Sequence, residues 1–162
     1  MKKIIKTSLL IASASIFQIH GADIRIAVDG SFAPFAQVDE NGELFGFDID
    51  IAHALCADMK VSCRIMPQTW DGMIPGLKVG KFDAVISSMS ITQERAKVVD
   101  FSERYYSNVL AFIGAKAQQL DLSNKGITGL SVGAYRATVS SQYLEDNYTG
   151  KVKIKLYDTQ DL

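Results

Sequence analysis

Strand-like and helix-like segments alternate through residues 24–86, and this order constrains the fold more than any other feature. The patterns predict strands over 24–28, 63–66 and 82–86, and helices over 47–59 and 70–79. Asp48 is placed to cap the first helix, and Asp71 the second. Strands joined by helices in this order are typical of an α/β sheet with parallel strands and crossover helices.

Residues 1–22 have the pattern of a secretory signal peptide. Three lysines among the first six residues form a basic start, and residues 8–19 form an apolar stretch too short to span a bilayer comfortably. A buried N-terminal helix is the alternative, but the lysines and the polar strand that follows disfavour it. We therefore expect cleavage near Gly21 or Ala22 and export of the remaining chain to the periplasm.

Export bears on the chemical state of the two cysteines, Cys56 and Cys63. An oxidising compartment allows them to form a disulfide. A continuous helix between them would hold their Cα atoms roughly 10 Å apart, which is too far for that bond. If they are bonded, the helix must end and the chain must reverse within residues 58–61. Two buried free thiols are the alternative, and neither reading makes these cysteines catalytic.

The formal net charge of the chain is −1, so its composition predicts no broad basic face for nucleic acid. No second hydrophobic span follows the signal-like segment, so the exported product is expected to be soluble. We expect a monomer that carries neither a metal nor a cofactor.

The run from 87 to 95, Ser-Ser-Met-Ser-Ile-Thr-Gln-Glu-Arg, has the groups needed to hold a carboxylate. It follows a predicted strand, and Thr92 is placed to cap a helix. Hydroxyls and free backbone N–H groups at the positive end of a helix suit an anion. Arg95 adds a planar guanidinium that can meet a carboxylate in two parallel hydrogen bonds. The alternative is an ordinary serine-rich turn followed by a solvated arginine.

Further candidates lie in loops that leave the carboxyl ends of the predicted strands, where α/β sheets bind ligands. Asp29 and Phe32 follow the first strand, and Trp70 follows the second. A carboxylate, two aromatic faces, serines and an arginine together suit a zwitterion with a cationic side chain between the rings. Alternatively, Asp29 only caps a turn, and Phe32 and Trp70 belong to the core.

The pattern changes after Phe101. An apolar run predicts a strand over 109–115. A strand over 131–134, a helix over 139–146 and a strand over 152–157 then form a second α/β unit that faces the first.

Several ordered motifs resemble the periplasmic solute-binding proteins of polar amino-acid importers, family 3, most closely the lysine/arginine/ornithine- and histidine-binding members. The motifs are Asp29-x-x-Phe32-Ala33-Pro34-Phe35, Gly46-Phe47-Asp48-Ile49-Asp50, the Cys56/Cys63 spacing, Ile74-Pro75-x-Leu77, Phe82-Asp83-Ala84, and Ser87-Ser88-Met89-Ser90-Ile91-Thr92-x-x-Arg95. The resemblance implies a type II periplasmic binding protein fold, in which two α/β lobes joined by a hinge close over one amino acid. By position, residues 23–108 are the first lobe, 109–115 a hinge strand and 116–162 part of the second lobe.

The resemblance also implies how a ligand carboxylate is held. Arg95 would clamp it, helped by Ser88 and Ser90. The second lobe would complete the grip with the Thr138 hydroxyl and the backbone of Val139 and Ser140. Many relatives have Gly-Thr-Thr where this chain has Ala137-Thr138-Val139, so one side-chain donor is missing here.

The rest of the ligand would be held by four other residues. Phe32 and Trp70 would sandwich its side chain, and Asp29 would meet the distal positive group. Ser87 would bond its polar atoms.

The function implied by the resemblance is binding of a cationic amino acid, namely arginine, lysine, ornithine or histidine, and delivery to an inner-membrane ABC permease. The alternatives are an enzyme on the same fold (a dehydratase or cell-wall lyase), a glutamine-type neutral amino-acid binder, and the sensing part of a receptor. The family's second-lobe aspartate and second hinge strand would fall beyond Leu162, so we expect the chain to be a fragment.

Overall fold

The structure is a computed structural model of the chain, and it describes residues 23–116, 121, 123 and 126–159. Its strands are β1 (Ile24–Val28), β2 (Ser31–Phe32), β3 (Ala36–Val38), β4 (Leu44–Phe45), β5 (Cys63–Pro67), β6 (Ala84–Val85), β7 (Ser131–Tyr135) and β8 (Lys153–Tyr157). Its α-helices are α1 (Phe47–Met59), α2 (Met73–Lys78), α3 (Gln93–Ala96) and α4 (Val139–Tyr148). The predicted signal peptide, residues 1–22, lies outside the described residues. None of the described helices is long and apolar enough to cross a membrane.

β1 is the centre of a three-stranded parallel sheet with the order β5-β1-β6. Its apolar residues Ile26 and Val28 are buried with Ile49 and Ala52 of α1, which packs against β1 and β5. β1 is buried along most of its length because it lies between two strands and under a crossover helix. The predicted parallel sheet is therefore confirmed, and we call residues 23–108 the first α/β unit.

The edge strand β6 is shorter than the predicted strand over 82–86. Only Ala84 and Val85 pair with β1, whereas the buried Phe82 ring packs against α2 at Gly76, where a Cβ atom would lie 2.6 Å from the ring. Asp83 then fixes this segment to β1 through two bonds from the Arg25 side chain, at 2.9 and 2.7 Å.

Between β1 and α1 the chain forms a small antiparallel sheet of β2, β3 and β4 that sequence analysis treated as a loop. Two- and three-residue strands are too short to show a two-residue period, which explains the difference. The turn between β3 and β4 is held by Asp39, whose Oδ1 accepts hydrogen bonds from the backbone N–H groups of Asn41 and Glu43.

Both ends of α1 agree with the prediction, but its capping residue does not. Gly46, at φ 126°, is the N-cap, and Asp48 is a buried residue inside the first turn, so the predicted Asp48 cap is wrong. The helix ends at Met59 because Lys60 adopts a left-handed conformation (φ 56°). The chain reverses there, and Cys56 and Cys63 form a disulfide with their Cα atoms 6.2 Å apart.

The predicted helix over 70–79 is divided into a 3₁₀ turn at Trp70–Gly72 and the short helix α2. Asp71 lies inside the 3₁₀ turn and makes no capping hydrogen bond, so that predicted cap is also wrong. Gly72, a poor helix former, stands where the two pieces meet. Pro75 occupies the first turn of α2, where its missing N–H costs no intrahelical bond.

The second α/β unit, residues 126–159, consists of β7 and β8 paired in parallel with α4 packed against both. Thr138 is the N-cap of α4, a role that sequence analysis did not assign to it. Residues 109–115 form no hydrogen-bonded strand with any described segment, so the predicted hinge strand is not formed in this structure. A strand exists only where a second segment satisfies its backbone groups.

Candidate functional site

A cavity of about 80 Å³ lies between the two α/β units, and we call it the inter-unit cavity. All predicted ligand-binding residues line it except Asp29 and Ser87: Phe32, Trp70, Ser88, Ser90, Arg95, Thr138, Val139 and Ser140. Sequence analysis missed three other lining residues, Asn108, Leu110 and Tyr135. The structure therefore brings together most of a site whose predicted members are up to about a hundred positions apart in the chain.

Arg95 lies in α3, where the hydroxyl of Thr92 caps the helix by accepting from the Arg95 N–H at 3.2 Å. Its Nη1 donates to the Ser90 carbonyl at 2.8 Å, and its Nη2 donates to the Ala137 carbonyl at 3.0 Å. Burial lowers the pKa of Arg95 from its ordinary value, but a guanidinium keeps its charge in proteins. No carboxylate in the described part of the chain forms an ion pair with it. Among the described residues, the cavity thus contains a partly buried cation without a counter-ion.

The segment that leads to α3, residues 87–90, is called the serine loop. Its Ser88 hydroxyl forms a hydrogen bond within the protein, and its Ser90 hydroxyl forms none with a described residue. Ser88 has a left-handed backbone (φ 47°), its N–H donates to the Tyr105 hydroxyl, and its Oγ donates to Asp48 Oδ1 at 3.1 Å. The hydroxyl of Ser90 makes no hydrogen bond to any described residue and lines the cavity. Ser90 is therefore a donor available to a ligand.

The second unit contributes the N-terminus of α4. The Thr138 hydroxyl donates to the Tyr135 carbonyl at 2.6 Å and accepts from the Ser141 N–H at 3.3 Å, so it serves as a helix cap. The expected direct grip of the Thr138 hydroxyl on a carboxylate stays a prediction. The backbone N–H groups of Val139 and Ser140 belong to the first turn, where they have no intrahelical acceptor, and they point out at the positive end of the helix.

Asp29 and Ser87 lie behind the cavity wall. Asp29 is only 3% exposed; its Oδ1 accepts from the N–H and Oγ of Ser31, and its Oδ2 accepts from the Tyr135 hydroxyl at 2.8 Å. Ser87 is 1% exposed, and its Oγ accepts from the Asp29 N–H at 2.9 Å. Neither residue lines the cavity, in contrast to the expected direct ligand contacts, because Tyr135 of the second unit covers the end of β1.

The aromatic walls are Phe32, Trp70 and Tyr135. The Phe32 ring stacks on Phe35 with centroids 5.2 Å apart. The Trp70 ring lies 6.1 Å from the Tyr135 ring and 5.4 Å from the Arg95 guanidinium. Tyr135 ends β7, so the argument that placed Asp29 and Trp70 at the carboxyl ends of strands also applies to it and could have identified it.

Ala137 joins the two units. It adopts a left-handed conformation (φ 57°), and its carbonyl accepts both from Arg95 and from the Trp70 indole N–H, the latter at 2.9 Å. Because these contacts close the cavity, its volume is below the roughly 300–1,000 Å³ of typical ligand pockets. A ligand of amino-acid size would therefore have to separate these groups as it enters.

The described residues contain no group of three histidine, cysteine, aspartate or glutamate side chains that could hold an ion.

Residues 24–150 match the sequence profile of the family described as bacterial extracellular solute-binding proteins, family 3. The L-arginine-binding protein of Pseudomonas aeruginosa is 36% identical over 163 residues, which cover 99% of this chain and 63% of that protein. The ABC transporter arginine-binding protein 1 of Escherichia coli is 36% identical, covering 98% of this chain and 64% of that protein.

Among solved structures, an ancestral arginine-binding protein bound to arginine superposes with a TM-score of 0.80 at 36% identity. The match covers 86% of this chain and 62% of that chain. The chain thus spans less than two thirds of the length of the proteins it matches.

Proposed function

Since this chain belongs to the bacterial extracellular solute-binding proteins of family 3, we propose that it binds an amino acid with a cationic side chain in the inter-unit cavity. Arginine, lysine, ornithine and histidine are the candidate ligands. The observation that carries the proposal is the partly buried Arg95 guanidinium, which has no carboxylate partner among the described residues. The two-lobe α/β fold class expected from the sequence agrees with the structural match.

The ligand's α-carboxylate is proposed to lie between Arg95 and the N-terminus of α4. There it can accept hydrogen bonds from the guanidinium, from the Ser90 hydroxyl and from the first-turn N–H groups of Val139 and Ser140. The guanidinium now donates to two carbonyl oxygens, which are weaker acceptors than a carboxylate. Exchange of these neutral partners for an anion favours binding.

The ligand's side chain is proposed to lie against Phe32 and Trp70. Aromatic faces attract a cation, and the buried Asp29 charge behind Tyr135 adds to that attraction. The same charge would repel an acidic side chain. A neutral amide such as glutamine would find the rings but gain less from Asp29.

The decisive experiment is isothermal titration calorimetry of the full chain with L-arginine, L-lysine, L-ornithine, L-histidine, L-glutamine and L-glutamate. We expect heat from cationic ligands and a loss of affinity of roughly 10- to 100-fold in Arg95→Lys, which keeps the charge but loses the planar fork. Arg64→Gln, which removes an exposed arginine outside the cavity, is the matched control and should bind as the wild type does. Equal affinity of Arg95→Lys and wild type would contradict the proposed carboxylate site.

Specificity is tested with Asp29→Asn. We expect this variant to lose far more affinity for L-arginine or L-lysine than for L-glutamine. Equal losses would favour the glutamine-type alternative.

Binding without catalysis is proposed because the side chains that line the cavity in the described part of the chain include no carboxyl, imidazole or thiol group. The two relatives named above are themselves binding proteins. Incubation with a cyclic acid or a glycan followed by mass spectrometry tests this, since product formation would establish the dehydratase or lyase alternative.

Delivery to an inner-membrane ABC permease is proposed from the relative named as a component of an ABC transporter. Export to the periplasm is proposed from the pattern of residues 1–22. Cell fractionation and N-terminal sequencing of the exported chain test the second point, with a new N-terminus expected near residue 22.

A further inference from the structure

We propose that Asp29 acts on the ligand through Tyr135, so that the phenol oxygen of Tyr135, and not the Asp29 carboxylate, accepts the hydrogen bond from the ligand's distal cation. This inference rests on the proposed function, because it assigns a contact within the same cavity.

The first observation is positional. Tyr135 lines the inter-unit cavity, whereas Asp29 does not and is 3% exposed. The phenol therefore lies between the cavity and the carboxylate. A ligand in the cavity meets the Tyr135 side chain first.

The second observation is that the Asp29 carboxylate already has partners at both oxygens. Oδ1 accepts two hydrogen bonds from Ser31, at 3.0 and 2.8 Å, and Oδ2 accepts the Tyr135 hydroxyl at 2.8 Å. A direct ligand contact would have to displace the phenol from a buried, charge-assisted bond, which costs more than a neutral one.

The third observation concerns the proton. Burial, and then the hydrogen bond to Asp29, raise the pKa of Tyr135 to about 12, so the phenol stays protonated at neutral pH. A phenol that donates its proton to a carboxylate keeps its oxygen lone pairs for other donors, and the Ser31 hydroxyl, which lowers the pKa of Tyr135, is one such donor nearby. The nearby anion also polarises that oxygen, and hydrogen bonds in such a chain strengthen one another. The Tyr135 oxygen is thus an improved acceptor for an ammonium or guanidinium group that reaches it.

A ligand contact with Tyr135 and a direct contact with Asp29 predict different changes in ligand affinity for Tyr135→Phe. If the phenol is the acceptor, Tyr135→Phe removes it and weakens binding of L-arginine and L-ornithine. If the ligand instead competes with the phenol for Asp29, the same substitution frees Oδ2 and leaves binding unchanged or tighter. The substitution deletes one oxygen atom and keeps the ring beside Trp70.

Calorimetry of the full chain with L-arginine and L-ornithine tests the proposal. We expect Tyr135→Phe to bind both roughly 3- to 10-fold more weakly, the range of one net hydrogen bond. Tyr157→Phe is the matched control: it lies opposite Tyr135 in the β7–β8 pair, outside the cavity, and should bind as the wild type does. Unchanged or tighter binding by Tyr135→Phe overturns the proposal.

Asp29→Asn provides a second readout that does not depend on one variant alone. Its cost in affinity should be smaller in the Tyr135→Phe background than in the wild type, because the intermediary is already gone. It should be larger in Tyr135→Ala, which removes the ring that separates the cavity from Asp29. Equal costs in all three backgrounds overturn the proposal.

The two proposals fail in distinguishable ways. A wild-type chain that binds none of the cationic amino acids contradicts the proposed function itself. A wild type that binds them, together with unaffected binding in Tyr135→Phe, contradicts only the role assigned here to Tyr135.

Discussion

In the first α/β unit, the serine loop that faces the cavity is held by side chains 17 and 40 positions away in the chain, Tyr105 and Asp48. In the second unit, the N–H groups that face the same cavity are held by a helix cap within three positions, formed by Thr138. The two walls of one site therefore depend on different kinds of interaction. The first wall requires the tertiary structure of its unit, and the second requires little beyond the local sequence.

The distant contacts of the first wall leave a buried carboxylate oxygen without a hydrogen bond to a described residue, which the Thr138 cap does not. Asp48 is fully buried; its Oδ1 accepts from Ser88 and Tyr105, but its Oδ2 has no partner among the described residues. Burial consequently raises the pKa of Asp48 above its ordinary value. Thr138 both donates and accepts through one hydroxyl. The first unit thus loses some stability in fixing Ser88 in its left-handed conformation, whereas the second unit gains stability from its cap.

Removal of the Asp48 carboxylate should have the largest effect. Asp48→Ala leaves the Ser88 and Tyr105 hydroxyls without their shared acceptor, and we expect a loss of about 3 kcal/mol in the free energy of unfolding, measured in urea. Ligand affinity should fall as well, because the serine loop is no longer fixed. Asp50→Ala is the matched control, since Asp50 is an exposed acid in the same helical turn. Comparable losses in the two variants would mean that the helix dipole, and not the buried contacts, is what matters.

A smaller effect is expected from Tyr105→Phe. The Tyr105 hydroxyl accepts from the Ser88 N–H and donates to Asp48 at 2.9 Å, so its removal costs two hydrogen bonds, one of them to a charged group, and about 2 kcal/mol. The neighbouring Tyr106→Phe serves as the control, because the Tyr106 hydroxyl makes no hydrogen bond to a described residue. Urea unfolding of both variants measures the difference. If Tyr106→Phe is the more damaging of the two, aromatic packing rather than the hydroxyl network fixes this wall.

For the second wall, we expect Thr138→Ala to cost about 1 kcal/mol, the typical value for a lost N-cap, and Thr138→Ser to cost much less. The affinity for a cationic amino acid should follow the same order, because the cap holds the N–H groups of Val139 and Ser140 in place. Thr149→Ala, at the opposite end of α4, is the control for the loss of a threonine hydroxyl. A Thr138→Ser variant as weak as Thr138→Ala would show that the methyl group, and not the cap, is important.

The sequence predicted the local parts of this molecule well. The parallel sheet, the reversal between Cys56 and Cys63, the Thr92 cap and the unit built from β7, α4 and β8 all follow from patterns within about fifteen residues. Phe32, Trp70, the serine run and Arg95 were also located from such patterns, whereas Thr138, Val139 and Ser140 were expected from the family resemblance.

The parts that the sequence could not predict are those set by distant contacts. Asp48 was assigned as a cap because acids are common at helix starts, but its partners lie 40 and 57 positions away. Asp29 was assigned to the ligand from its place after a strand and from the family resemblance; the side chain that covers it, Tyr135, comes from the other unit, 106 positions later. No local pattern contains that information.

The smallest expected effect concerns Asp83 and Asp48, whose pKa values shift in opposite directions. Pairing with Arg25 lowers the first, and burial raises the second. The Arg25 hydrogen bonds lower the pKa of the exposed Asp83 to about 2, so the stability it contributes is present above its ordinary value of 3.8 and is lost as the pH falls through about 2. Burial raises the pKa of Asp48, so the native state binds its proton more readily than the unfolded chain does. The stability linked to Asp48 is therefore greatest below pH 3.8 and decreases as the pH rises towards the pKa of Asp48 in the folded protein.

Urea unfolding across the acid range measures both effects. As the pH falls, the difference in unfolding free energy between wild type and Asp83→Asn should shrink, and the difference between wild type and Asp48→Asn should change in favour of the wild type. If both differences change in the same direction as the pH falls, the assignment of Asp48 as a carboxylate that is buried at the expense of stability is contradicted.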